Sequence, residues 1–239
     1  MRPTGKSPAD ESWRHINAID DVTQTLIEAT GQLIVAAMQG YTGAGGVLLA
    51  LAADEVWARP GLVLNPHYKN MGKIYGSEYW TYLLPRRLDS APRPTTASSA
   101  SRVGMSEVAE PHSLMSASVH DVMGRRLPIC AAQAKAMGLV DEVFGDSAQD
   151  FISAVHERAQ RLAASADLPM LLHTKQQRHD HDEAARPLAD DRAQELQHMQ
   201  RCFYGFDPSH HIASSNFVHR VAPSWTPRHL ATHRRQATR

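Results

Sequence analysis

GYTGAGGVLLALAADEVWA, residues 40–58, places four glycines within seven residues, then an apolar run, then an acidic pair. Residues 46–53 are apolar on every side and free of proline, the pattern of a helix buried inside a layered domain. Ahead of the glycines, LIVAAM (33–38) is an apolar run of strand length, and behind them EVWA (55–58) and GLVL (61–64) are two more. Strand, helix and strand in quick alternation predict an α/β architecture. GYTGAGG does not fit the G-x-G-x-x-G dinucleotide fingerprint, and no Lys-Ser/Thr pair follows it as in a P-loop. Two readings of the glycines stay open on composition. They are tight packing ahead of a buried helix, or a backbone N–H that meets a carbonyl oxygen as negative charge develops on it.

Working outward, Trp13, Ile16, Ile19, Val22, Leu26 and Ile27 recur at three- and four-residue steps and predict an amphipathic helix over 11–30. Residues 1–10 are polar and unpatterned, a disordered start. Residues 68–87 read as loop followed by helix. The stretch 88–120 is rich in Ser, Ala, Pro and Thr, with weak periodicity, and is expected to be a disordered insertion. Order returns with a helix from Ala131 that Gly138 closes, followed by a strand. Residues 151–165 and 169–202 read as amphipathic helices, and 203–239 as an irregular, histidine-rich tail with one helix.

Lys plus Arg and Asp plus Glu both total 25, so no charge excess points to nucleic acid. Cys130 and Cys202 have neither a disulfide framework nor a metal-ligand spacing, which suits a reducing compartment. The first residues, MRPTGKSPADESW, lack the apolar core of a signal peptide. No run of about 18 apolar residues could span a membrane. The expectation is a cytoplasmic chain. HDHDE (179–183) carries metal-ligand types, but on a helix His179 and Glu183 share a face that His181 does not, so a solvated face is expected rather than a metal site.

Strand LIVAAMQG, turn YTGAGG and helix-strand VLLALAADEVWA resemble the core signature of the crotonase (enoyl-CoA hydratase/isomerase) superfamily. RLPICAAQAKAMGLVDEVF (126–144) is similar to the helix and strand that precede its C-terminal helices. The resemblance implies a crotonase-like spiral fold and assigns Gly45, with Gly46 beside it, to the thioester oxyanion hole. Hydratases carry two catalytic glutamates where this chain has Leu48 and Tyr68. Water addition to an enoyl thioester needs an acid and a base, and Leu48 supplies neither.

LNPHYKNMGKIYGSEYWTYLLPRR (64–87), ESWRHINAIDD (11–21), FYGFDPSHHIASSNFVHRV (203–221) and SWTPRHL (224–230) resemble the HypX (HoxX) family of nickel–iron hydrogenase maturation factors. That resemblance implies decarbonylation of formyl-CoA to carbon monoxide and CoA, with Tyr68 and Glu78 by the formyl thioester. Glu78 is expected as general base and Tyr68 as acid or orienting group. Lys69 and Lys73 are candidates to meet CoA phosphates. Family members also carry an N-terminal formyl-tetrahydrofolate domain and earlier crotonase strands that supply the second oxyanion N–H. Both are absent from these 239 residues. The expected organisation is therefore an N-terminally truncated crotonase-like core at 11–87 and 121–165, then a helical region and family tail at 166–239. Expected partners are an acyl-CoA, the hydrogenase maturation machinery and a separate chain carrying the absent N-terminal part. Two alternatives stand beside the decarbonylase. One is a non-catalytic remnant or CoA-binding or oligomerising module; the other is a divergent hydratase or isomerase.

Overall fold

The glycine-rich stretch links two small sheets. The computed structural model describes residues 7–68, 71–88, 117–124 and 127–221. Helix α1 (Pro8–Glu28) is followed by strands β1 (Val35–Met38) and β2 (Thr42–Gly43), helix α2 (Gly45–Leu51), and strands β3 (Glu55–Ala58) and β4 (Val63–Asn65). Then come α3 (Trp80–Leu88), α4 (Ala117–Gly124), β5 (Ile129–Cys130), α5 (Ala131–Met137) and β6 (Glu142–Val143). Helices α6 (Ala148–Ala163), α7 (Leu168–Ala185), α8 (Leu188–Tyr204) and α9 (Ser209–Val218) follow and are the last elements among the described residues. One sheet runs β1-β3-β6, all parallel, and the other β2-β4-β5, with β5 antiparallel to β4.

The acidic residues at the strand starts pin the parallel sheet. Asp54 Oδ2 accepts from the Ile34 N–H (2.8 Å) and pairs with Lys175 Nζ (2.7 Å). Asp141 Oδ2 accepts from the Val56 N–H and from Arg87 Nη1, both at 2.7 Å. These contacts hold the N-terminal edge of the sheet to α3 and α7. The chain leaves β1 at the opposite end of these strands and reaches α2 through β2 of the other sheet. Val47, Leu48 and Leu51 of α2 are buried between the layers, so its apolar run is core.

Several boundaries differ from the sequence reading. Helix α1 begins inside the expected disordered start, because Ser7 caps it by accepting from the Asp10 N–H and Pro8 sits in its first turn. Its buried stripe is Ile16, Asp20, Thr23 and Ile27, while Val22 is exposed, so an acid lies where only apolar residues were expected. The expected insertion, 88–120, ends early: Leu88 is core, and α4 packs on α3 with Val119 and Val122 fully buried. Two valines three apart among small residues are too short a pattern to stand out. The remainder of that insertion, residues 1–6, SWTPRHL and the last residues lie outside the described residues. The single helix expected over 169–202 is two, because Pro187 cannot continue α7 and instead stands at the residue before α8. Within the tail, α9 is an ordered helix against α8.

Candidate active site

Gly45 opens α2, and its surroundings show why a glycine stands there. None of the glycines at 40, 43, 45 and 46 has a positive φ; the residue that does is Ala44 (φ 48°). Their value is therefore the missing side chain, and only one position needs it strictly. A Cβ on Gly45 would lie 2.3 Å from Glu78 Oε1 and 2.8 Å from Glu78 Cδ. On Gly46 it would meet only the Thr42 methyl, at 3.0 Å, and on Gly40 nothing within 4 Å. Gly45 thus lets the Glu78 carboxylate approach the start of α2, whereas Gly46 faces β2. The Ala44 N–H is taken by the Asn65 carbonyl (2.8 Å), which ties the turn to β4.

Tyr68 lies in the segment after β4 and Glu78 in the turn before α3, ten residues on. Both side chains are buried, and the Tyr68 hydroxyl donates to Glu78 Oε2. The structure therefore brings Gly45, Tyr68 and Glu78 together, while Lys73 stays exposed on the intervening loop and Lys69 lies outside the described residues. Burial pushes the Glu78 carboxyl up to about 7, although the hydrogen bond from Tyr68 pulls the other way. Burial and then the neighbouring Glu78 charge hold the Tyr68 phenol well above its usual range. The pair is thus a neutral phenol beside a carboxyl that exchanges its proton near neutral pH, which suits proton transfer.

Sequence reasoning missed three residues that build this arrangement. Gly76 (φ 94°) faces the Tyr68 ring, which a Cβ would meet at 2.2 Å, and its N–H points at Met199 Sδ (3.3 Å). Asp20, on the buried stripe of α1, accepts at Oδ1 from the Ser77 hydroxyl (2.5 Å) and the Glu78 N–H (3.0 Å). Glu195, on α8, accepts from the N–H of Tyr79 (2.9 Å) and of Thr81 (2.8 Å) and from the Thr81 hydroxyl (2.6 Å). Burial raises both carboxyls, Glu195 strongly. The available signal was positional. Leu188, Asp191, Glu195, Met199 and Phe203 form the buried stripe of α8, and an acid on such a stripe requires donors.

The other candidates fall elsewhere. No group of three or more His, Cys, Asp or Glu that could hold a metal occurs among the described residues. Asp182 of the HDHDE run pairs with Arg86 and accepts from the Tyr82 hydroxyl (3.0 Å). His211 meets the Phe203 carbonyl at 2.8 Å, and His210 packs on the Phe203 ring. A crevice of about 1080 Å³ opens at the other end of α2, lined by Leu51, Asp54, Tyr82, Arg87 and Lys175 among others. Arg87 and Lys175 are paired with Asp141 and Asp54, and the crevice lies away from Tyr68 and Glu78. It belongs to the sheet anchor rather than to the proton-transfer pair. No helix among the described residues is long and apolar enough to cross a membrane.

No family model matches the chain. The hydrogenase maturation factor HoxX of Bradyrhizobium diazoefficiens is 45% identical over 229 residues, which are 96% of this chain and 36% of that protein. The crystal structure of HypX from Aquifex aeolicus in complex with tetrahydrofolic acid superposes with a TM-score of 0.79 at 41% identity. It matches over 97% of this chain and 36% of that one. An enoyl-CoA hydratase from Bacillus halodurans has a TM-score of 0.61 at 16% identity, over 83% of this chain and 66% of that one, and shares the fold alone. The chain therefore spans just over a third of the length of the HoxX and HypX proteins. Over nearly all its own length it is related to one part of those maturation factors, and its fold is crotonase-like.

Proposed function

We propose that this relative of the HoxX and HypX maturation factors acts on formyl-CoA, releasing carbon monoxide and CoA at Tyr68 and Glu78. The observation that carries the reading is the buried Tyr68–Glu78 hydrogen bond beside Gly45, within a fold shared with thioester-handling enzymes. The reaction moves one proton and changes no oxidation state. The formyl C–H and C–S bonds break, the carbon keeps its electron pair as carbon monoxide, and the proton ends on the thiolate. Glu78 takes the formyl proton. Tyr68 gives its own proton to the departing sulfur and recovers one from Glu78, so the pair returns to its starting state. A carboxyl that titrates at about 7 can serve as this base at neutral pH. The Gly45 N–H would stabilise negative charge on the thioester oxygen. Leu48, fully buried in the core, supports decarbonylation over hydration, since it occupies the hydratase acid position without an acid.

The same reading gives the chain its setting. Its substrate would be an acyl-CoA, its partners the hydrogenase maturation machinery and a separate chain carrying the portion of the relatives that it does not span. Its compartment would be the cytoplasm. Formyl-tetrahydrofolate would enter only through the N-terminal domain of that portion. A second reading, a non-catalytic module that binds CoA or oligomerises, is favoured by one observation. Glu78 Oε1 already lies against Gly45, 2.3 Å from where a Cβ would stand, and leaves no room for a further group on that side. The test is purified chain with formyl-CoA and a haem reporter for carbon monoxide, alongside CoA binding by calorimetry. Carbon monoxide that vanishes in Tyr68→Phe and Glu78→Gln supports the decarbonylase. CoA binding with no carbon monoxide supports the second reading and sinks the first.

A further inference from the structure

We propose that Asp20 and Glu195 are positioning residues that together hold residues 77–81 in the left-handed turn presenting the Glu78 carboxylate to Tyr68 and Gly45. The consequence for catalysis rests on the function proposed above; the positioning itself does not. Glu78 and Tyr79 are consecutive non-glycine residues with φ of 62° and 57°, a conformation that side chains oppose. A turn of this kind does not hold itself. It persists only where its surroundings determine it.

The surroundings do so with two carboxylates from two helices. Asp20 of α1 takes the Ser77 hydroxyl and the Glu78 N–H on a single oxygen, and its Oδ2 makes no hydrogen bond. Glu195 of α8 uses both oxygens, Oε2 for the Tyr79 N–H and Oε1 for the Thr81 N–H and hydroxyl. The acceptors themselves are held in register. Arg192 on α8 reaches back to α1, pairing with Asp21 (2.7 Å) and donating to the Asn17 carbonyl (3.2 Å) and Gln24 Oε1 (3.2 Å). Both carboxylates are fully buried, and their hydrogen-bond partners are N–H and O–H donors rather than cations. Apolar side chains would fill such sites without the desolvation cost, so the buried acids are accounted for by the backbone donors they satisfy.

At Asp20, holding and charge can be separated by substitution. The charged and titratable groups around Glu78 are Tyr68 before it, Asp20 on α1, and Glu195 with the more distant Arg192 on α8. Asp20→Asn keeps an oxygen for both donors and removes only the charge. Asp20→Ala removes the hold. Glu195→Gln cannot keep both contacts, because an amide NH₂ must face an N–H or O–H donor where a carboxylate oxygen stood.

The experiment is a pH titration of the Glu78 carboxyl by ¹³C NMR in the full chain, with the resonance assigned by its loss in Glu78→Gln. In Asp20→Asn the midpoint should fall by about one pH unit, because a buried negative neighbour is gone. In Asp20→Ala and Glu195→Gln it should fall further toward the ordinary carboxylate range, as the freed turn lets water reach Glu78. Folded Asp20→Ala and Glu195→Gln proteins that titrate like the parent chain would overturn the proposal. If either variant fails to fold, Thr81→Val, which deletes one donor to Glu195, must move the midpoint in the same direction, and an unmoved midpoint counts against the proposal. Because the readout is a titration, a chain that makes no carbon monoxide but shows these shifts loses the decarbonylase reading and keeps the positioning one.

Discussion

Replacing Gly45 with alanine is the sharpest perturbation the geometry offers. The new Cβ would lie 2.3 Å from Glu78 Oε1, against 3.4 Å for ordinary van der Waals contact, so the carboxylate must retreat by about 1.1 Å. A free glutamate tip would absorb that cheaply. Here the tip receives the Tyr68 hydroxyl and the Ser77 N–H (3.3 Å), and its backbone is tied to Asp20. The displacement is therefore taken from the Tyr68 hydrogen bond. Inserting a methyl into a packed site costs about 1–3 kcal/mol of stability. A misplacement of about 1 Å in a reacting group costs on the order of 100-fold in rate. Gly46→Ala is the control, since its Cβ meets only the rotatable Thr42 methyl at 3.0 Å. Carbon monoxide release from formyl-CoA, followed by haem absorbance, should fall about 100-fold in Gly45→Ala and by less than about 3-fold in Gly46→Ala. Equal rates in both variants would refute the contact between Gly45 and Glu78 as the reason for the glycine.

Two further outcomes follow from the same site. Gly76→Ala combines a positive φ of 94° with a Cβ 2.2 Å from the Tyr68 ring. It should lose about 2–4 kcal/mol in denaturant unfolding, and an undiminished midpoint would contradict the ring placement. The Glu78 carboxyl is raised from 4.5 to about 7 in the folded chain, so the folded state binds its proton more tightly than the unfolded one. Its contribution is therefore fully present below pH 4.5 and is lost as the pH rises through 7, on the order of 3 kcal/mol. Glu78→Gln should melt higher than the parent chain above pH 7 and lose that advantage below pH 5. A difference independent of pH would refute the buried ionisation.

The strands of the parallel sheet were legible because their signals are local, whereas their pairing was not. EVWA reads as a strand by length and composition, Gly138 closes α5 in the left-handed conformation, and LIVAAM ends at its glycine. The site was legible only as separate residues. Tyr68, Glu78 and Gly45 could be named through the resemblance, yet nothing in a ten-residue spacing says that the first two share a hydrogen bond. Asp20 and Glu195 were passed over for a physical reason. Hydrophobic periodicity scores an acid on a helix face as solvent-facing, and the donors to these two lie 57 to 58 and 114 to 116 residues away along the chain. The break at Pro187 carried a plain local signal, a proline inside a helical stretch, and α7 before it buries no residue, so it lacks the amphipathic stripe expected of it.

The most direct measurement is carbon tracing with ¹³C-formyl-CoA. The purified chain is mixed with the labelled thioester and a ferrous haem reporter, and the infrared stretch of the haem-bound product is recorded beside free CoA. The parent chain should yield ¹³CO and CoA in equal amounts, and the Tyr68→Phe, Glu78→Gln double variant neither above background. Intact thioester after incubation with a folded, CoA-binding chain would contradict the proposed decarbonylation.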